Sequence, residues 1–351
     1  MGLKILHSAD WHMDSPFGGF SDRQNRWLKE EQKKIPRKIA ELCRRENCDL
    51  VLLSGDLFDN AGSRESLDIV RRALEECAVP VFIAPGNHDC LSLGSPWLEA
   101  NWPENVHIFQ EGLTSVSLEA LNCRIYGAGY RSMDCPALLE NFRISGPERY
   151  HVAVLHGDPM RLHSPYCPVT TAQVRDSGLD YLALGHIHKS GSFRAKSSLC
   201  GWPGAPMGRG YDETREKGVY IVELGEKADF RFVSLDTPRF YDLEAESLQS
   251  LEEQLPPAAT QDFYRVSLTG SGEEPLWELK KRFDYLPNLE IFDRREKQIP
   301  LWERSDEDTL EGTYFRLLQA LRQEASPELE EQIQLAAEIS AKILEGKEVV
   351  L

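Results

Sequence analysis

A layered α/β fold is predicted because short aliphatic runs alternate with amphipathic helical segments, and because a polar motif follows each of several runs at once. Ile5-Leu6, Leu50 to Leu53, Val79 to Ala84, Val152 to Leu155 and Tyr181 to Leu184 have the length and aliphatic content of strands. Between them, Glu30 to Arg45 and Ser63 to Cys77 carry helical spacing, with Leu67, Val70 and Leu74 on one face. Such a strand–helix–strand rhythm builds a buried sheet with right-handed crossovers. Ligands of open α/β sheets gather at the carboxyl ends of the strands, which is where the polar motifs fall.

A second group of strands, Ser115 to Leu118, Cys123 to Tyr126, Gly218 to Glu223 and Phe230 to Leu235, alternates apolar and polar residues and is expected to form an antiparallel partner layer. Gly201 to Gly210 is rich in glycine and proline, a rigid loop expected to hang over the site. From about Phe240 the pattern changes. A β-like Asp262 to Leu268, a helical Pro275 to Arg282 and a β-like Asn288 to Phe292 suggest a small α+β module. Two helices close the chain. Ser305-x-x-Asp308 is expected to start the first, with Leu310, Tyr314, Leu317 and Leu321 as its apolar stripe. Ser326-Pro327 starts the second, proline taking the permitted first position, and Leu329, Ile333, Ala336 and Ile343 continue it. Stripes of this kind most often fold back on their own domain. The expected domains are 1–238, 239–300 and 301–351.

A length of 351 residues suits about two to three domains and a sizeable core. The net charge of −17 at first argues against a polyanionic ligand, but it is unevenly spread. From Tyr241 onward 25 acidic side chains face 12 basic ones, whereas the first 240 residues carry 32 against 28. Two divalent ions would offset that remainder of −4, leaving the acidic tail to face solvent or a basic protein surface. Eight cysteines at 43, 48, 77, 90, 123, 135, 167 and 200 form no C-x-x-C pair and read as small buried residues of a reducing compartment. The first residues run straight into a strand, no signal peptide is read, and no stretch approaches 18 apolar residues, so a soluble cytoplasmic protein without a membrane span is expected.

Five motifs stand in order over the first 190 residues: Asp10-x-His12, Gly55-Asp56-x-x-Asp59, Gly86-Asn87-His88-Asp89, His156-Gly157 and Gly185-His186-x-His188. Any one is weak, since D-x-H recurs by chance and a lone strand-end histidine is more often a hydrogen-bonded core residue. The ordered set is specific. It supplies carboxylate, imidazole and amide-carbonyl ligands, together with a carboxylate, Asp56, suited to bridge two ions, which is the inventory of a two-metal phosphoesterase.

On these motifs the chain resembles the calcineurin-like metallophosphoesterases, one motif after another through residue 188. The resemblance implies a two-sheet sandwich flanked by helices, with a small α+β capping module and C-terminal helices. It assigns Asp10, His12, Asp56 and His188 to one ion, and Asp56, Asn87, His156 and His186 to the other. The ions, about 3.5 to 4 Å apart, would activate a bridging water and hold the phosphoryl oxygens for in-line attack. Oxygen and imidazole ligands without thiolate favour Mn²⁺, with Fe or Mg²⁺ as alternatives. His88, adjacent to Asn87 and not needed as a ligand, suits the acid or charge stabiliser at the leaving oxygen. Asp89 or Asp59 would orient it, each having capping or turn formation as its plainer role. His7, His107 and His151 read as structural. His163, in the loop Met160 to Pro168, is a candidate at the site entrance. Arg131, Arg161 and Arg209 are candidate phosphate contacts, although each taken singly has the ordinary role of a solvated surface arginine.

The metal core does not name the substrate. Ser8-Ala9-Asp10-Trp11-His12 with Asp14-Ser15-Pro16-Phe17, Tyr181 to His188, the Gly201 to Ala205 loop and Lys217-Gly218-Val219-Tyr220 look like the bacterial DNA-repair exonuclease subunits of the SbcD and YhaO type, over residues 1 to about 235. That resemblance implies a manganese-dependent 3′ to 5′ exonuclease and single-strand endonuclease acting on DNA ends, a coiled-coil ATPase partner gripped by the helices after the cap, and a homodimer. The chain departs from a DNA-end nuclease in lacking a broad basic footprint: only Lys29 to Arg45 and Lys280 to Lys297 are enriched, so the ATPase is expected to supply most of the DNA grip. The alternatives are a phosphodiesterase for small substrates such as cyclic nucleotides, and a catalytically quiet scaffold of an ATPase complex.

Overall fold

The computed structural model describes residues 2–214, 216–270, 274–295 and 301–344. Two sheets of six strands each form its main body. In chain order the strands are β1 (Leu3–Ser8), β2 (Leu50–Leu53), β3 (Val81–Ile83), β4 (Val106–Ile108), β5 (Thr114–Leu118) and β6 (Cys123–Gly127). They continue with β7 (Tyr150–His156), β8 (Tyr181–Gly185), β9 (Gly191–Ala195), β10 (Ser198–Trp202), β11 (Gly218–Leu224) and β12 (Ala228–Ser234). The first sheet runs β12-β11-β1-β2-β3-β4 and the second β5-β6-β7-β8-β10-β9. β1 to β4 are mutually parallel, as are β6, β7, β8 and β10, so each sheet presents a row of carboxyl ends.

The aliphatic runs are buried on both faces because the pleat sends alternate side chains to different cores. Ile5, Leu50, Leu52, Val152, Val154, Tyr181 and Ala183 fill one cluster drawn from both sheets. Leu6, Val51 and Leu53 instead pack with Leu28, Ile39, Val70 and Leu74 of the helices α1 (Asp22–Lys33), α2 (Ile35–Arg45) and α3 (Arg64–Glu76). Ala153, Leu155, Leu182 and Leu184 meet Val174 of the Thr171–Ser177 helix on the outer face of the second sheet.

The layer expected from the alternating strands is corrected. β5 and β6 belong to the second sheet beside β7, whereas β11 and β12 extend the first, β11 pairing antiparallel with β1 from Leu3↔Leu224 to His7↔Tyr220. Alternation reports a solvated face, not sheet membership, and it is strongest at β5 and β12, the outermost strands of the two sheets. The helix read from Glu30 is two. Ser21 caps α1 in a capping box with Gln24, and the chain restarts at Ile35 because Pro36 lacks the N–H that would continue the ladder.

A third sheet of three strands, β13 (Phe240–Ala245), β14 (Phe263–Leu268) and β15 (Leu289–Asp293), follows in the order β13-β14-β15. Two compact units divide the chain. One comprises Met1–Asp242, Ala259–Arg265 and Leu286–Glu290; the other Leu243–Ala258, Val266–Tyr285 and Ile291–Leu351. The second holds the helices Leu310–Gln323 and Pro327–Leu344. The start of the former is corrected. Thr309, not Ser305, caps it by accepting the Gly312 N–H at 2.9 Å, and Ser305 sits in a preceding 3₁₀ turn. The face that packs is Phe315 against Ala337 and Ala341, so the stripe Leu310, Tyr314, Leu317 and Leu321, expected to fold back, stands exposed. Residues 345–351 and Lys297, within the anticipated tail and basic stretch, lie outside the described residues. Among the described residues no helix is long and apolar enough to cross a membrane.

Candidate metal centre

The carboxyl ends of β1, β2 and β3 from the first sheet and of β7 and β8 from the second deliver the five motifs to one place. The loops after β1 and β2 are laced together: Asp10 N–H donates to Gly55 O and His12 N–H to Asp56 O, both at 3.0 Å. Asp10, His12, Asp56 and His186 hold φ of 55°, 46°, 51° and 86°. The left-handed region is unfavourable for residues with a side chain, and four such residues in one centre are strain of the kind that marks functional sites. Close approach is enforced at Gly86 and Gly185. A Cβ at Gly86 would lie 2.2 Å from Asp56 Oδ1, and one at Gly185 2.0 Å from Ser54 O.

The donor atoms converge in three overlapping sets. Asp10, His12 and His188 offer ligand atoms within 4.8 Å of one another, as do Asp10, Asp56 and His156, and His12, Asp56 and His88. His12 Nε2 faces His188 Nε2 at 3.1 Å. The Nδ1 of His188 lies 2.8 Å from Glu213 Oε1, so that nitrogen carries the proton and Nε2 presents a lone pair. On the other side His156 Nδ1 lies 2.8 Å from Ser54 O, which turns its Nε2 lone pair toward Asn87 Oδ1 at 3.0 Å and Asp56 Oδ2 at 3.3 Å. Lone pairs aimed at one another across such distances repel unless a positive charge sits among them. Asp10 Oδ2 and His12 Nδ1 are buried without a hydrogen-bond partner, although such groups are normally satisfied. An acceptor-rich, hard-oxygen and imidazole pocket of this composition fits two divalent cations. His186 adds its ring 5.2 Å from that of His156, and its backbone N–H donates to Asp10 Oδ1 at 2.9 Å.

The electrostatics agree. Burial pushes the Asp56 carboxyl up, but His156, His12 and His88 outweigh it and hold it well below the usual carboxylate range. Burial opposes a charge on His156, yet Asp56 and Asp10 raise it to about 9, whereas burial and the charge of His156 depress His186 to about 4. Burial likewise lowers His12. The charge of Asp56 is thus met by the surrounding imidazoles, a role that bound cations would take over.

The remaining candidates separate. His88 Nδ1 meets Asp59 Oδ1 at 2.8 Å while its side chain stays 41% exposed, the one open imidazole among these motifs in the described residues. Asp89 does not touch that ring. Its oxygens accept the N–H groups of Gly86 at 2.7 Å, Leu57 at 2.8 Å, and Asp56 and Phe58 at 3.3 Å, pinning the β2 and β3 loops together. Burial and the charge of Asp56 push its acid up to about 7 against those donors, and cations beside Asp56 would relieve the repulsion. Arg131, Arg161 and His163 are exposed on two loops joined through the Cys135 N–H to Pro165 O bond. Arg209, also a candidate phosphate contact, has its guanidinium 2.9 Å from Glu213 Oε1 and 3.0 Å from His188 Nδ1. The Gly201 to Gly210 stretch begins as the end of β10, and its Ala205 N–H donates to His188 O at 3.2 Å.

Sequence reasoning missed Ser54, Glu213, Lys217 as a side chain, and Tyr166, whose ring lies 4.7 Å from that of His186. Ser54 acts through its backbone, which no motif records. Glu213 stands just after the glycine-rich loop and before Lys217-Gly218, and that placement was the available signal.

A family model described as calcineurin-like phosphoesterase matches residues 3–190. An uncharacterized metallophosphoesterase, YhaO of Bacillus subtilis, is 36% identical over 239 residues, 63% of this chain and 57% of that protein, so the chain spans little more than half of YhaO. The D component of nuclease SbcCD from Staphylococcus epidermidis is 22% identical over 363 residues, 89% of this chain and 92% of that one. A crystal structure of a dimetal phosphatase from Danio rerio superposes with a TM-score of 0.46 at 14% identity, covering 66% of this chain and 96% of that chain. With the family's motifs in order and their side chains gathered at the ends of two sheets, the chain belongs to the calcineurin-like phosphoesterases and is a metal-dependent hydrolase.

Proposed function

We propose that the protein is the nuclease subunit of a DNA-processing complex, hydrolysing phosphodiester bonds with two bound cations, Mn²⁺ being the proposed metal. The observation that carries the hydrolytic part is the convergence of ligand atoms about Asp56, with His12 and His188 at 3.1 Å and His156 and Asn87 at 3.0 Å on either side of it. In this reading Asp10, His12, Asp56 and His188 hold one cation and Asp56, Asn87, His156 and His186 the other. Bound there, the cations supply Lewis acidity toward phosphoryl oxygens and an activated water. Asp59 holds His88 by Nδ1, which leaves its Nε2 free for the departing oxygen. Arg131, Arg161 and His163 line the approach as phosphate contacts.

Nucleic acid is favoured over small esters by the likeness to the SbcCD nuclease component, which extends beyond the catalytic motifs over about nine-tenths of both chains. The exposed stripe on the Leu310–Gln323 helix, with Leu310 88% and Leu317 63% accessible, supports a second part of the reading, that residues 301–351 dock a coiled-coil ATPase; that residues 239–300 form a capping module is proposed from the resemblance alone. Purified protein with Mn²⁺ should degrade end-labelled DNA, and His88→Ala should lose that activity. Turnover of a small chromogenic diester with no action on DNA would replace the nuclease reading by a small-substrate phosphodiesterase. Inactivity on both, with both cations bound, would leave a scaffold.

A further inference from the structure

We propose that Glu213 is a positioning residue for His188, making the cation position of Asp10, His12 and His188 the tighter of the two, with Arg209 and Lys217 serving as its counter-charges. The proposal rests on the metal reading of His188 and adds to it a residue outside the five motifs.

Glu213 is only 8% exposed, and its carboxylate is spent wholly on the rear of the centre. Oε1 lies 2.8 Å from His188 Nδ1, 2.9 Å from Arg209 Nη2 and 3.1 Å from Arg209 Nε. Oε2 lies 3.3 Å from the Arg209 N–H and 4.0 Å from Lys217 Nζ. Lys217 is itself 5% exposed, and its ammonium donates to His188 O at 3.3 Å. A buried carboxylate needs compensation, and two cations already provide it. His188 is therefore not required to satisfy Glu213, whereas His188 does require an acceptor at Nδ1 if its Nε2 lone pair is to face His12.

The two cation positions differ in this respect. The imidazole of His156 is backed by a neutral carbonyl, Ser54 O, and its neighbour Asn87 is a neutral ligand. His188 is backed by a full negative charge. A carboxylate on the far nitrogen fixes the tautomer and makes the imidazole a stronger ligand, and loss of such a partner typically lowers metal affinity about 10- to 100-fold. Arg209 and Lys217 share the charge of Glu213. Arg209 thus acts behind the metal centre, and Lys217 locks the His188 backbone as well as the carboxylate.

Titration of the chelator-stripped full chain with Mn²⁺, followed calorimetrically, tests this. Wild type should bind two ions, His188→Ala should lose the tighter step, and Glu213→Gln should weaken that same step about 10- to 100-fold while leaving the other unchanged. The unfolding temperature of the stripped protein is measured alongside. Because Glu213→Gln leaves buried Lys217 and half-buried Arg209 short of an anion, the double variant Glu213→Gln/Lys217→Gln is carried in parallel and should show the same selective weakening. If His188→Ala weakens one step but neither Glu213 variant does, Glu213 is merely structural and the inference falls while the metal reading stands. If His188→Ala binds Mn²⁺ as wild type does, the metal reading itself fails.

Discussion

His12 and His188, 176 residues apart in sequence, bring their Nε2 atoms to 3.1 Å in the interior of the centre. Two ring nitrogens reach such a distance only with something between them that accepts lone-pair density. A proton or a metal ion meets that demand, and the competition between them has measurable consequences.

Metal affinity is expected to rise with pH below about 9. Although burial opposes it, the field of Asp56 and Asp10 lifts His156 to about 9, so the stripped protein carries a proton there at neutral pH. A ligand must be deprotonated to coordinate, so binding expels that proton and the apparent affinity gains up to about tenfold per pH unit until the group is neutral. Calorimetry in buffers of different ionisation enthalpy should count about one proton released from this position near neutral pH, and His156→Ala should abolish that release. An affinity independent of pH between roughly 6 and 8, about one to three units below that midpoint, would contradict the assignment.

Gly86→Ala is expected to damage the centre without replacing a ligand. The added methyl would sit 2.2 Å from Asp56 Oδ1, which also receives the His88 N–H at 2.9 Å. Relief requires the β2 and β3 loops to part, against the bonds that Asp89 makes to both. Overpacking of this kind costs about 1 to 3 kcal/mol. The unfolding temperature of the stripped protein and the Mn²⁺ affinity should fall together, whereas exposed Gly94→Ala should leave the affinity unchanged.

The convergence of the candidate ligands was legible in the sequence because each follows an aliphatic strand that reads plainly, and because strand ends are where a parallel sheet gathers its ligands. The division of those strands between two sheets was not legible. Val51 and Ala153 are both fully buried, and nothing in a continuous apolar run says which sheet it joins. Asp89 and Asp59 were indistinguishable as partners of His88, since both precede or follow turns at short range, and only the fold shows that Asp89 is consumed by four backbone donors. The apolar stripe of the Leu310–Gln323 helix misled for the same reason: periodicity shows that a helix has a face, and Phe315, on another face, is what packs.

His88→Ala is expected to lower kcat by about 10² to 10⁴ with little change in KM, the range for loss of a positioned acid. Asp59→Asn should cost less, because His88 remains and loses only the carboxylate 2.8 Å from its Nδ1. The discriminating measurement varies the leaving group. A diester whose leaving oxygen is already a weak base needs no proton, so the defect of His88→Ala should shrink on it. A constant defect across leaving groups would assign His88 to the cations instead.

Acid should destabilise the protein through His7, which lies outside the metal ligands. Burial depresses its imidazole from 6.5 to about 3, and its ring nitrogens meet Tyr181 Oη at 2.7 Å and Ser54 Oγ at 2.9 Å. The unfolded chain takes up a proton below 6.5 and the folded chain does not until about 3. The unfolded state therefore binds more protons in that window, and this contribution to stability is complete above 6.5 and declines by about 1.4 kcal/mol per pH unit on acidification. Thermal unfolding of His7→Gln should start from a lower midpoint at neutral pH and show a shallower loss toward acid than wild type.

Leu317→Glu with Leu321→Glu should separate partner binding from chemistry. Both side chains are exposed, 63% and 60%, while Phe315, Ala337 and Ala341 carry the packing between the two C-terminal helices. Surface substitutions of this kind usually change stability by less than about 0.5 kcal/mol, so the unfolding temperature should hold. Hydrolysis of a small diester should hold too, because the changes lie in the other compact unit from the metal ligands. Co-expression with the proposed ATPase partner, followed by purification of the complex, should recover wild type as an assembly and the double variant alone. Recovery of the variant with its ATPase would place the docking surface elsewhere and leave the exposed stripe without that role.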